Sequence, residues 1–275
     1  MDGEIVAEGL RFPEGPVWTG DALYVTEVEG GTIARWRAED GTLERVATTG
    51  GGPNGAVLGA DGALWVTQNG GMDPEHRITA GIQRVTAAGD VTMIASEVGD
   101  LPLGAPNDLA FGPDGRLWFT DPRGAPTNPL EPGRLFALDA STGTGELVVE
   151  IDAVYPNGIA FAGDGLLMWT ESFSRRVMAL DAAGPRILAE LPEPNYPDGM
   201  CVGADGTLYV ASTYGHCVSV VRDGAVVDRL VCGDGMVTNC CFGGTDLYVT
   251  ESRHGTVWRF PVGVEGLPLG QRQTL

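Results

Sequence analysis

The feature that most constrains this chain is a segment written six times. PEGPVWTGDALYVTE, PNGAVLGADGALWVTQN, PNDLAFGPDGRLWFTDP, PNGIAFAGDGLLMWTES, PDGMCVGADGTLYVAST and TNCCFGGTDLYVTES begin near residues 13, 53, 106, 156, 197 and 238. Each opens on a polar residue, usually after proline, then gives a short apolar run, a Gly/Asp turn and a second run of the LWVT type. The pairs Asp61-Gly62, Asp114-Gly115, Asp164-Gly165 and Asp205-Gly206 lie between β-rich runs, a strong local hairpin signal. Two further β-like runs follow most copies, for example RRVMALD and PRILAEL after the fourth, so each unit predicts about four strands.

The leading residues Glu14, Asn54, Asn107, Asn157, Asp198 and Asn239 are 40, 53, 50, 41 and 41 positions apart. That spacing is the period of propeller blades, and it predicts an all-β, six-bladed β-propeller with four-stranded antiparallel blades around a central channel. The sixth copy lacks a convincing fourth strand while residues 3–8 form a spare one, so the N-terminal strand is expected to close the ring. Residues 1–275 are read as a single domain. The longer intervals carry GGMDPEHRITA and RGAPTNPLEPG, expected to be loops overhanging one face. The 42 Gly and 18 Pro suit many tight turns, and no window of more than about ten residues sustains a helical period free of them.

Net charge is −20, from 37 acidic against 17 basic residues, which repels phosphate backbones and anionic lipid surfaces. Neither nucleic acid nor membrane is an expected partner. The start MDGEIVAEGLRF lacks the basic region and apolar core of a secretory signal, and no run approaches ~18 apolar residues, so a cytoplasmic protein is expected. Five cysteines without CxxC spacing argue against a disulfide framework or a zinc site and read as reduced, buried small hydrophobes.

The innermost strand of each blade runs along the channel, so the six leading residues should face one axis. P-N-G and P-D-G are ordinary turn formers, but Glu14 is a poor one and shares with the others only its side-chain oxygen. Two carboxylates, Glu14 and Asp198, with amide oxygens from Asn54, Asn107, Asn157 and Asn239, make an all-oxygen set suited to a hard divalent cation. Unpaired carboxylates crowded in a channel call for such compensation. Glu27, Asp121, Glu171 and Glu251, after a threonine at the end of the second run, read as strand-end hydrogen-bonding groups. His76, His216 and His254 read as surface residues, and no GxSxG elbow points to a serine nucleophile.

Across nearly its whole length the chain resembles the gluconolactonase and regucalcin-like lactonases. FPEGPVW around Glu14, PNDLAFGPDGRLWFTD around Asn107, PNGIAF around Asn157 and PDGMCVGADG around Asp198 carry the likeness. The resemblance implies a metal-dependent hydrolase that opens a small lactone, such as a sugar acid lactone, with metal-activated water. It implies Glu14, Asn157, Asp198 and Asn107 as ligands to one divalent ion, Ca2+ before Mg2+, Mn2+ or Zn2+. Asp198 would also be the base and Asn107 a contact to the carbonyl oxygen, with Asn54 and Asn239 lining the channel. The sugar-lactone members carry Arg where this chain has Ala105, and the lead-in LPLGAP suits a less hydroxylated lactone. Two other functions fit the same fold: phosphotriester hydrolysis on the same metal set, and a non-enzymatic calcium-binding or interaction propeller.

Overall fold

The computed structural model describes residues 1–124 and 131–268. Six four-stranded antiparallel sheets form the blades, and among the described residues there is no helix. The innermost strands are Pro13–Trp18, Pro53–Leu58, Leu109–Phe111, Pro156–Phe161, Pro197–Val202 and Val237–Gly243. Blade four shows the order that the repeat predicts, Pro156–Phe161, Leu167–Glu171, Arg176–Asp181 and Gly184–Glu190 running from the channel outward. In blade six the outermost strand is Glu4–Ala7, paired antiparallel with Thr256–Phe260, so the start of the chain closes the ring as expected. A small hairpin, Glu97–Val98 with Leu101–Pro102, stands between blades two and three.

The Asp-Gly pairs form the tight turns between the first two strands. Gly62, Gly115, Gly165 and Gly206 have φ between 76° and 88°, and each preceding Asp accepts the amide two residues on, as Asp205 Oδ1 does from Thr207 at 3.0 Å. These turns close one end of the inner strands, leaving the polar leading residues at the other.

Apolar residues gather into six clusters, one at each interface between adjacent blades. Leu135, Ile151, Ile159 and Trp169 join blades three and four, and Ala7, Trp36, Val257 and Tyr248 join six and one. The fold is held by blade-to-blade contact all the way round rather than by a single central core. All five cysteines lie free and buried within or beside these clusters, with Cys201 and Cys240 sulfurs 3.4 Å apart.

Threonine in the second strand has a specific task. Thr26 Oγ1 donates to the Asn54 carbonyl of the next blade at 2.5 Å, Thr120 to that of Asn157 at 2.6 Å, and Thr170 to that of Asp198 at 2.7 Å. Thr67 makes the same bond to Asn107. The backbone of these four leading residues is thus pinned by the preceding blade, whereas the Asn239 carbonyl accepts from Thr250 of its own blade at 3.2 Å. A different threonine, Thr238 in the innermost strand of blade six, ties that blade to blade one by donating to the Pro13 carbonyl at 2.9 Å.

Candidate functional site

The glycine after the leading residue is not a turn residue. In blades one, two, four and five the ladder is irregular here, the register slipping between Pro156 and Ile159 or Pro197 and Met200, and such bulges re-aim a side chain. The slip coincides with close backbone approach between blades. A Cβ on Gly158 would stand 2.5 Å from the Asp198 carbonyl, and one on Gly15 would stand 2.4 Å from that of Asn54. The Pro-polar-Gly motif is therefore a device that brings inner strands together and sends the polar side chain into the channel.

Glu14, Asn54, Asn107, Asn157 and Asp198 line one cavity of about 910 Å3 at this end of the channel. Asn239 stands behind Glu14, its Nδ2 donating to Glu14 Oε2 at 3.2 Å while its Oδ1 accepts the Cys240 amide. Gly70, Gly71, Met72, Arg77, Ile78 and Ala80, from the insertion of blade two, overhang the cavity as expected. Arg123 and Gly124 of the second insertion also border it, and residues 125–130 of that expectation lie outside the described residues.

The channel holds a third buried carboxylate that sequence reasoning did not identify. Asp108 takes the slot that blades one, two, four and five leave to glycine; it is 5% exposed, with Oδ2 3.4 Å from Asn239 Nδ2. Its visible signal was that departure from glycine in PND. Burial, and then the neighbouring Asp108 charge, pushes Glu14 up to about 8 against bonds from Asn239 and the Gly15 amide. Burial also pushes Asp108 up to about 7. Asp198 is raised well above the usual carboxylate range by burial and by the charges of Glu14 and Asp108. Each shift has the same first cause, negative charge held away from water.

Of the buried amide oxygens without a partner among the described residues, two belong to leading residues and one to Asn195, which does not line the cavity. Asn54 Oδ1 and Asn157 Oδ1 are buried with no hydrogen-bond partner, although a buried carbonyl oxygen nearly always has one. The Asn157 amide is oriented by its Nδ2, which donates to Ser172 Oγ at 3.3 Å, so its oxygen is held toward the channel rather than left to rotate. Among the described residues no group of three or more His, Cys, Asp or Glu side chains is placed to hold a metal. An ion in this channel would therefore depend on the amide oxygens, and unsatisfied oxygens beside acidic groups fit a hard cation.

The other acidic candidates are spent in structure. Glu27, fully buried, accepts from the Arg11 amide, Thr32 and both arms of Arg45; burial opposes its charge, yet these bonds hold its carboxyl below the usual range. Asp121 accepts the amides of Gly104, Ala105 and Arg123, and Glu251 those of Met236, Arg253 and His254. Glu171 binds Trp169 and Ser174. These groups tether the segment leading into their own blade's inner strand or the turn that follows. His76 pairs with Asp73 in the exposed loop, His216 with the Gly235 carbonyl and His254 with Glu251, and none borders the cavity.

The profile of the family described as SMP-30/Gluconolactonase/LRE-like region matches residues 12–253, nearly the whole propeller. This chain belongs to that family. It is 31% identical to a pentonolactonase of Haloferax volcanii over 90% of this chain and 84% of that protein. A gluconolactonase of Zymomonas mobilis is 27% identical, covering 91% of this chain and 79% of the relative. In fold, the calcium-binding protein regucalcin of Agrobacterium tumefaciens superposes with a TM-score of 0.80 at 19% identity, over 98% of this chain and 96% of that one. The four segments that carry the resemblance, around Glu14, Asn107, Asn157 and Asp198, all send their leading side chain into the cavity, as does the segment around Asn54.

Proposed function

We propose that this chain is a metal-dependent lactonase, opening a small lactone with water at the end of the channel where Glu14, Asn107, Asn157 and Asp198 meet. The carrying observation is the pair of orphaned amide oxygens set among three buried carboxylates. Among the described residues no Arg or Lys side chain is bonded to these three carboxylates, and the two lactonase relatives make ring-opening hydrolysis the chemistry to expect of the site.

Glu14, Asn157 and Asp198, with Asn107 as a fourth, would hold one divalent ion, Ca2+ being the best match to an all-oxygen set with neutral amides. When bound, such an ion polarises an ester carbonyl and lowers the pKa of water. Asp198, held in place by the Thr170 bond to its backbone, is the group placed to accept the proton of the attacking water, and a bound cation would keep its carboxylate ionised. Asn107 presents its amide toward the substrate carbonyl, steadied by the Tyr155 hydroxyl with which its side chain is bonded. Burial of this end of the channel limits water to what the substrate leaves room for.

The test is a panel of γ- and δ-lactones offered to chelated protein and to protein restored with Ca2+, Mg2+, Mn2+ or Zn2+ in turn. Turnover should vanish on chelation and return with one or more ions, and Asp198→Asn should lower kcat by about 10³-fold or more with the fold retained. A metal-replete protein that leaves every lactone intact would sink the reading.

A further inference from the structure

Two positions of the repeat shape the wall above the leading residues. The residue two places before each leading residue is Phe12, Gly52, Ala105, Tyr155, Tyr196 and Val237 in blades one to six, and the residue two places after the second strand is Phe173 in blade four and Tyr214 in blade five. Both positions are aromatic in blades four and five only. The result is a continuous run of edge-to-face rings along one side of the cavity: Tyr155 to Phe173 at 6.1 Å, Phe173 to Tyr196 at 6.1 Å and Tyr196 to Tyr214 at 5.3 Å. All four border the cavity that Asn157 and Asp198 also line.

This wall is built rather than incidental. Tyr155 sits at φ 60°, a left-handed backbone that a bulky residue adopts only under constraint, and its carbonyl accepts the Ser172 amide at 3.0 Å. The Tyr196 carbonyl accepts from Thr213 in the same way. Phe173 is 42% and Tyr214 58% exposed, so a large apolar surface faces water at the mouth. Across the cavity Leu103, Ala105 and Ile78 supply more apolar surface.

Apart from the phenol groups of Tyr196 and Tyr214 at the mouth, the wall offers few hydroxyl donors to a polyhydroxylated ring. Ser172 donates to the Pro197 carbonyl at 2.7 Å, Thr213 to that of Tyr196 at 3.3 Å and Thr238 to that of Pro13 at 2.9 Å, so these three hydroxyl protons are already committed, and the Tyr155 hydroxyl is bonded with Asn107. Asn69 accepts the Gly71 amide, Arg77 donates to the Gly71 carbonyl and Arg123 pairs with Glu131, all holding loops. A volume of about 910 Å3 is also that of a drug-sized ligand rather than a bare five- or six-atom ring.

We propose that the substrate is a lactone bearing an apolar side arm, alkyl or aryl, and that the aromatic wall of blades four and five seats this arm while the ring carbonyl lies over the channel residues. The inference rests on the lactonase reading and adds its substrate class. Arm binding is present equally before and during the reaction, so it is read in KM.

The experiment compares γ-nonalactone, γ-butyrolactone and D-glucono-1,5-lactone with metal-replete protein and its Phe173→Ala, Tyr214→Ala and Val227→Ala variants. Val227 is exposed on the outer strand of blade five, away from the cavity. The pentyl arm should raise kcat/KM over γ-butyrolactone by about tenfold or more, at roughly threefold per methylene that reaches the wall. Phe173→Ala and Tyr214→Ala should each cut that preference by about threefold to tenfold through KM, and Val227→Ala should leave it as it was. A gluconolactone rate at or above that of γ-nonalactone, or a preference that survives both aromatic replacements, overturns the inference and leaves the lactonase reading intact. Failure of all three lactones overturns both.

Discussion

Asp108 occupies a slot that most blades leave to glycine, and it changes the electrostatics of the channel. Glu14 feels its charge directly, and Asn239 donates to both carboxylates. In protein stripped of metal, Asp108→Asn should relieve this repulsion while keeping an oxygen for Asn239. The melting temperature at pH 8 should rise by about 3 °C, and the affinity for a divalent ion should fall. Differential scanning calorimetry of the chelated variant checks the first, and a fall in stability would contradict the argument. The sequence hid Asp108 because the adjacent Asn107 already filled the place that the repeat assigned to a polar group. Tyr155 and Tyr196 were hidden differently: two residues before the leading position they read as lead-in, and only the folded ring sets their faces toward Phe173 and Tyr214.

At the scale of the strand, the most informative motif was legible and its purpose was not. Leading residues, Asp-Gly turns and LWVT runs can be counted in the sequence because each is local, and they delivered four-stranded blades in the right order. That the glycine after the leading residue serves inter-blade approach, and that the threonine bonds the next blade's backbone, depends on contacts between residues 28 or more positions apart, which local pattern does not record. Gly158→Ala should destabilise by about 2 kcal/mol or more, seen in urea unfolding, since its Cβ would stand 2.5 Å from the Asp198 carbonyl. Thr170→Val keeps the volume but leaves that same buried carbonyl without its donor. We expect a stable protein with kcat/KM lower by about tenfold, because Asp198 loses its anchor.

For the whole molecule, charge and pH act together. Glu14 and Asp108 hold protons in the folded, metal-free chain up to about 8 and about 7, whereas unfolded carboxylates lose them near pH 4 to 4.5. Between those limits the folded state binds more protons than the unfolded state, so stability falls as pH rises from about 4.5 to 8. Chelated protein should melt lower at pH 8.5 than at pH 5.5, by roughly 5 °C, and added Ca2+ should recover most of the loss at the higher pH. A flat profile would mean that the channel carboxylates are compensated in some other way. With a net charge of −20, the apparent ion affinity should also weaken as sodium chloride screens the long-range field.

The strand that closes blade six has a kinetic meaning. Glu14 belongs to the first blade and its amide partner Asn239 to the last, 225 positions away, and the Pro13 carbonyl likewise waits for Thr238. Loop-closure entropy grows only logarithmically with chain length, so this long tie costs little more in stability than one of half the span. It does delay assembly, because contacts so distant in sequence form slowly. A nascent chain can stack five blades while its channel is still open on one side, and the Glu14 carboxylate gains its last partner only when the two ends of the molecule meet.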